Sequence, residues 1–180
     1  MPINQRFARL SNSECSALPK AQAGFSMVEV IIAFLVLAVG LLGVASMQKR
    51  GVESNQAAYL RSQAISMAQD LSGRIRANTE AYEANNYDDP TPQYTSTCLT
   101  TGCTATALAR HDYFEWKALL ASVLPAGVGV VCIDSTPDDG DDDTSPECDG
   151  SGSELAIKIW WDAKPRDGVI DQFYVISMEL

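Results

Sequence analysis

Residues 24–47 read Gly-Phe-Ser-Met-Val-Glu-Val-Ile-Ile-Ala-Phe-Leu-Val-Leu-Ala-Val-Gly-Leu-Leu-Gly-Val-Ala-Ser-Met, and Glu29 is the one charged residue among them. From Phe25 to Met47 this is a run of about 23 residues, which as a helix spans about 34 Å, enough for a hydrocarbon core of about 30 Å. A soluble core seldom buries so long a segment on every side. The segment before it is polar and mildly basic, with Arg6, Arg9 and Lys20 against Glu14. Two membrane readings follow from these residues. One is a single-pass anchor. The other is a secretory signal peptide, for which Gly43-Val44-Ala45 followed by Ser46 offers a small-residue cleavage site. The length of the apolar run and the carboxylate inside it count against the second.

A carboxylate in hydrocarbon is costly, and such a residue is a functional candidate whose partner is to be sought. The plainer account is that Glu29, near the helix end, reaches back to the headgroups.

Gly24-Phe25-Ser26-Met27-Val28-Glu29 resembles the cleavage motif of type IV prepilins: a Gly, then Phe, then a Glu four residues on, at the head of a long apolar helix. The resemblance implies that prepilin peptidase cuts after Gly24 and that Phe25 becomes N-methylphenylalanine. It also implies that Glu29 pairs with the terminal amine of a neighbouring subunit. In a low-dielectric bundle that pairing would offset two desolvation costs and fix axial register. The implied organisation is a leader over 1–24, removed; a transmembrane and assembly helix over 25–48; and, over 49–180, an amphipathic continuation with a periplasmic or extracellular domain.

Beyond Met47 the pattern becomes one-sided. Leu60, Ala64, Ala68, Leu71 and Ile75 recur at three- and four-residue spacing, with Arg61, Gln63, Gln69, Asp70, Arg74 and Arg76 between them. No proline interrupts the chain between Phe25 and Asp89, so a helix to about Asn78, roughly 80 Å long, is expected. Gly51 and Gly73 each weaken it by about 1 kcal/mol relative to Ala. Residues 85–92, Asn-Asn-Tyr-Asp-Asp-Pro-Thr-Pro, read as a loop.

A second helix is expected from about Ala105 to Leu124, capped by Thr104 and ended by Pro125-Ala126-Gly127. Its expected face carries Leu108, Asp112, Glu115, Trp116, Leu119, Leu120 and Val123. Strands are expected at 128–133, 154–161 and 172–180. In the second, Leu155, Ile157, Ile159 and Trp161 alternate onto one face. A turn at 164–168 makes the last two an antiparallel hairpin. A long helix on a small antiparallel sheet is an α+β fold, and it matches what the prepilin resemblance implies.

Five cysteines are odd in number, but Cys15 lies in the leader. Cys98, Cys103, Cys132 and Cys148 remain, with three possible connectivities. Local pairing is the expected one, Cys98 with Cys103 and Cys132 with Cys148. The second loop is worth about 3 kcal/mol in the chain-entropy model. Zinc fits poorly, because neither pair has knuckle spacing and His111 is the only imidazole.

From Asp134 to Glu154 the chain carries a dense acidic run, including Asp138, Asp139, Asp141, Asp142 and Asp143, with no Lys or Arg. Its spacing departs from an EF-hand. The expectation is a solvated, self-repelling loop rather than a calcium site.

The remaining inventory excludes more than it includes. With 13 basic and 23 acidic residues, net charge -10, the chain lacks the cationic surface that nucleic-acid binding needs. Neighbouring His111 and Asp112 point about 100° apart on a helix and make no acid–base pair. No nucleophile elbow or phosphate loop is present, and no cofactor or enzyme activity is expected. The three tryptophans read as core or subunit-interface residues.

Residues 40–48, Trp116-Lys117, 124–127 and Ile157-Lys158-Ile159-Trp160-Trp161 look like the PilV-type minor pilins, also called type IV pilus modification proteins. This resemblance implies a structural subunit that starts or modifies pilus assembly. Its implied partners are other minor pilins, the major pilin, prepilin peptidase and the inner-membrane assembly platform. Its implied location is the inner membrane, then the pilus. A type II secretion pseudopilin shares the N-terminal motif. The rival of another class is a secreted binding domain released after Ala45. With the leader, three of the 13 basic residues and one of the 23 acids depart, so the net charge moves from -10 to about -12.

Overall fold

The structure is a computed structural model that describes residues 24–164 and 169–179. The leader with Cys15, and the turn expected at 164–168 apart from Lys164, lie outside the described residues. The described chain divides between Ala45 and Ser46 into two compact units.

Helix α1 runs unbroken over Met27–Ala77, through Gly51 and Gly73. Up to Gln56 every described residue is exposed. Within the second unit the helix becomes one-sided: Leu60, Ala64, Met67, Ala68, Leu71, Ser72 and Ile75 are buried. This is the stripe expected from the spacing, widened by Met67 and Ser72. Alanines at 64 and 68 let the helix lie close to its neighbours, while Leu71 and Ile75 supply about 1.5–3 kcal/mol each by burial. A short helix α2, Thr79–Glu83, follows after Asn78.

Helix α3 spans Ala105–Val123. The Thr104 hydroxyl accepts from the Ala107 amide at 3.2 Å, satisfying one of the first-turn donors. Its buried face is rotated from the expected one. Ala109, His111, Asp112, Tyr113, Trp116 and Leu120 are buried, whereas Leu119 and Val123 are exposed and Leu108 and Glu115 are half-buried. Asp112 stays on the buried face as expected; what an apolar pattern does not register is His111, whose Nδ1 accepts from the Thr95 amide at 3.1 Å. Trp116 anchors α3 to α1 by donating from Nε1 to the Met67 carbonyl at 3.2 Å.

Three strands, β1 Val128–Ile133, β2 Glu154–Trp161 and β3 Gln172–Glu179, form an antiparallel sheet in the order β1-β2-β3. In register, Val131 faces Ile157 and Ile157 faces Ile176. Val131, Ile133, Leu155, Ile157, Ile159, Trp161 and Met178 share a core with the buried faces of α1 and α3. The fold is therefore α+β, a long helix and a second helix on a small antiparallel sheet.

Strand β2 departs from the half-buried strand its alternation predicts. Ala156, Lys158 and Trp160, on the other face, are buried as well. Val130, Cys132 and Trp160 form a second small core there, flanked by Cys148, Ile170 and Phe173. The loop that follows β1 covers this face.

Gly129 is a contact point between helix and sheet. A Cβ there would stand 2.5 Å from the Trp116 ring and 2.7 Å from Leu120 Cδ1. Gly129→Ala is expected to lose about 1–3 kcal/mol through overpacking. The check is thermal unfolding beside Gly73→Ala, whose added methyl meets nothing within 4 Å and which is expected to unfold no earlier than the parent chain.

Candidate functional site

Helix α1 starts at Met27, so Gly24, Phe25 and Ser26 precede it in non-helical, exposed chain. The first helical bond runs from the Val30 amide to the Ser26 carbonyl at 3.2 Å. The Gly24–Phe25 peptide bond thus stands clear of the helix ladder.

Glu29 lies in the first turn. A carboxylate there complements the positive end of the helix dipole, which gives it a structural role whatever else it does. It shares a shallow groove with Phe25, Val30, Ala33, Phe34 and Leu37. Phe25 is 83% exposed, and Met27, Phe34, Val36, Val39 and Leu42 are all more than three-fifths exposed. Nothing within the first unit can bury such a cylinder. Its mean hydropathy reaches 2.8 over the most apolar window, and it is long enough to cross a membrane. Lipid or other apolar helices must cover it.

In the second unit the polar residues are organised around two cations, Arg74, half-buried, and Lys158, fully buried. Arg74 reaches Asp70 at 3.0 Å, Glu115 at 2.9 Å and Asp112 at 3.4 Å, joining α1 to α3. Asp112 also accepts from the Tyr87 hydroxyl at 2.9 Å, and Asn78 Nδ2 donates to both Tyr87 Oη and the Ala105 carbonyl. Burial pushes the Tyr87 phenol well above its ordinary value, and the Asp112 charge adds to this, so it remains a donor. Burial alone would lower Arg74; Glu115, Asp70 and Asp112 outweigh it and hold the guanidinium above its usual value.

Lys158 is the second cation. It and Asp134 are both 0% exposed, with Nζ 2.5 Å from Asp134 Oδ2 and 2.8 Å from Asp139 Oδ1. The carbonyls of Asp139 and Pro146 complete its shell at 3.1 and 2.8 Å. Burial works against its charge, and the two carboxylates overcome that and raise it above its ordinary value. Trp160 Nε1 donates to the Gly140 carbonyl at 3.2 Å, closing the loop over β2.

This corrects the expectation of a solvated, self-repelling loop at 134–154. Part of it folds inward, because the cation that neutralises it is supplied by β2, outside the segment whose charges were counted. The carboxylates of Asp134 and Asp139 and two backbone carbonyls already hold an ammonium where a calcium ion would need them. Cys132 bonds to Cys148 and ties the loop's end to β1; Cys98 bonds to Cys103 around a 3-10 turn at Ser96–Leu99. Cys132 and Cys148 flank Asp134 but, as a disulfide, offer no thiolate to a metal.

Sequence reading missed both clusters. The one available signal was Lys158, a charge inside an otherwise apolar strand; Arg74 sits among the polar residues beside the stripe, where the pattern predicts no contact.

Residues 46–114 match the family model described as "Type IV pilin Tt1218", and residues 19–45 match the model of the prokaryotic N-terminal methylation motif. No curated protein and no solved structure matches the chain.

Removing Lys158 strands the buried Asp134 carboxylate against an apolar sheet face. Lys158→Met is expected to cost about 3–5 kcal/mol in denaturant unfolding, and adding Asp134→Asn to recover part of it. The pH dependence follows from the same groups. Lys158 is raised, so its contribution is present below the ordinary lysine value and lost as pH rises through the folded one. Asp139, held low by Lys158 and Thr136, contributes above the ordinary aspartate value and loses this as pH falls through the folded one. A melting-temperature profile should be flat between about pH 5 and 9 and fall at both ends, the alkaline fall becoming shallower in Lys158→Met and its remainder belonging to the buried phenols of Tyr87 and Tyr113, which are also raised.

Proposed function

We propose, from the premise that the chain is a type IV pilin carrying the prepilin N-terminal motif, that it serves as a minor pilin of the PilV type, helping to start or modify pilus assembly. The single observation that carries the assembly role is Glu29, the one charge on an apolar helix surface that nothing in its own unit covers.

In this reading prepilin peptidase cuts after Gly24 and the new amine on Phe25 is methylated. The leader is 1–24, the membrane and assembly segment 25–48, and the remainder a domain that faces the periplasm and later the exterior. The helix waits in the inner membrane, where lipid covers it. On extraction by the assembly platform, the helices of other minor pilins and the major pilin replace lipid. The exchange is nearly neutral for apolar side chains, so apolar burial alone gives no axial register. Glu29 supplies it. A carboxylate in that bundle has one inexpensive state, paired with a cation, and the terminal amine of a neighbouring subunit is the cation available at that depth. Only the register that pairs them is free of an unpaired charge. The role of the protein is structural: its chemistry is received from the peptidase and spent on assembly.

Glu29→Ala separates the pairing from simple anchoring. Processing at Gly24 is expected to continue, seen as an unchanged mature mass in membranes. Recovery of the protein in sheared pili is expected to fall by about tenfold or more, the equivalent of losing about 1.4 kcal/mol or more of assembly energy. Glu29→Gln should fail likewise, since it cannot pair as a charge. Unchanged incorporation of both variants would mean that Glu29 only reaches the headgroups.

A further inference from the structure

The two edges of the sheet are treated differently. Along β1 the outward main-chain groups are capped. The Gly129 carbonyl accepts from the Tyr113 hydroxyl at 3.4 Å, the Val131 carbonyl from the Asp89 amide at 2.8 Å, and the Ile133 amide donates to Asp88 Oδ1 at 2.8 Å. Asp89 takes a left-handed conformation, φ 40°, to make this cap. Along β3, among the described residues, the one such contact is from the Tyr82 hydroxyl to the Glu179 carbonyl.

Open edges invite pairing, and proteins guard them with lysines, prolines, bulges or covering segments. Strand β3 has none of these guards within Gln172–Glu179. It reads Gln-Phe-Tyr-Val-Ile-Ser-Met-Glu, pairs with β2 without a bulge, and is uncovered among the described residues. Phe173, Tyr174, Val175 and Ile176 are only half-buried although their neighbours on β2 are fully buried. A further strand would complete their burial.

Charge says which strand. Glu179 lies directly opposite Glu154 in register, both are exposed, and neither has a cationic partner among the described residues. Like charges facing across a ladder weaken it, and a Lys or Arg on an incoming strand beside Glu179 would reverse this. A second copy of β3 does not supply one. Paired antiparallel it brings Gln172 and Asp171 to Glu179; paired parallel it brings another Glu179.

We propose that the free edge of β3 is a docking site for an extended segment of a different polypeptide, apolar in its middle and basic where it passes Glu179, bound by strand addition. The site lies in the sheet and does not depend on Glu29, so either can fail without the other.

The test uses the full chain in detergent and follows amide hydrogen exchange. The probe is a synthetic nine-residue peptide of alternating Val and Thr, N-methylated on alternate amides so that it cannot stack on itself, with Lys at its N-terminal end. A control carries Glu there instead. The Lys peptide should slow exchange along β3 and bind about three- to fivefold tighter than the Glu peptide, with the order reversed in Glu179→Lys and the preference reduced in Glu154→Lys. The proposal is overturned by equal binding of the two peptides, by protection at another element, or by none at millimolar peptide. It is also overturned if β3 becomes protected on raising protein concentration alone, which makes a second copy the occupant. Faster β3 exchange once residues 1–24 are removed would assign the edge to the leader and overturn it too.

Discussion

The constraint on which everything else rests is that the first 20 or so residues of α1, up to Met47, have an apolar surface and no protein to bury it. Every described residue from Gly24 to Gln56 is exposed, while the same helix from Leu60 onward buries a stripe against a core. An apolar cylinder left in water forfeits about 25 cal/mol for each Å² that burial would recover. The helix is therefore a part awaiting surroundings, first lipid and then other helices. Since those two environments are equally apolar, the free energy that tells one arrangement from another has to come from elsewhere, and the pairing proposed for Glu29 would supply it.

The globular half solves a different problem with similar chemistry. A small sheet carries Lys158 at its centre, where an unpaired ammonium would be prohibitive. The chain answers by wrapping its most acidic loop around that ammonium, with two carboxylates and two carbonyls as a shell. The disulfide between Cys132 and Cys148 shortens the loop that has to be ordered. Arg74 does the same between α1 and α3. In both places a cation selects one geometry from several that apolar packing alone would permit, and the fully buried pair of Lys158 and Asp134 is the costly one to break.

Much of this was legible in the residues. Three- and four-residue spacing from Leu60 to Ile75 located the buried face of α1, Thr104 marked the start of α3, and β-branched runs located all three strands. Periodicity works where one side of an element meets a core and the other meets water. It failed where that condition failed. On β2 the far face is roofed by a loop, so Ala156, Lys158 and Trp160 are as buried as their neighbours. On α3 the buried face takes in His111, whose partner, the Thr95 amide, no local pattern encodes. At the candidate site the balance is reversed. Gly24, Phe25 and Glu29 stand out in the sequence through their likeness to the prepilin motif, and the structure adds that they are exposed and that Glu29 lies in the first turn of α1.

The most direct measurement of the central claim is the N-terminal residue of the protein recovered from the membranes of cells that make it, read by mass spectrometry of the N-terminal peptide. A chain that begins with N-methylated Phe25 has been processed as an assembly subunit and retains Glu29 at the fifth position of its helix segment. A chain that begins at Ser46 has lost Glu29 together with the whole apolar surface, and one that still begins at Met1 has never exposed the amine; either result contradicts the account.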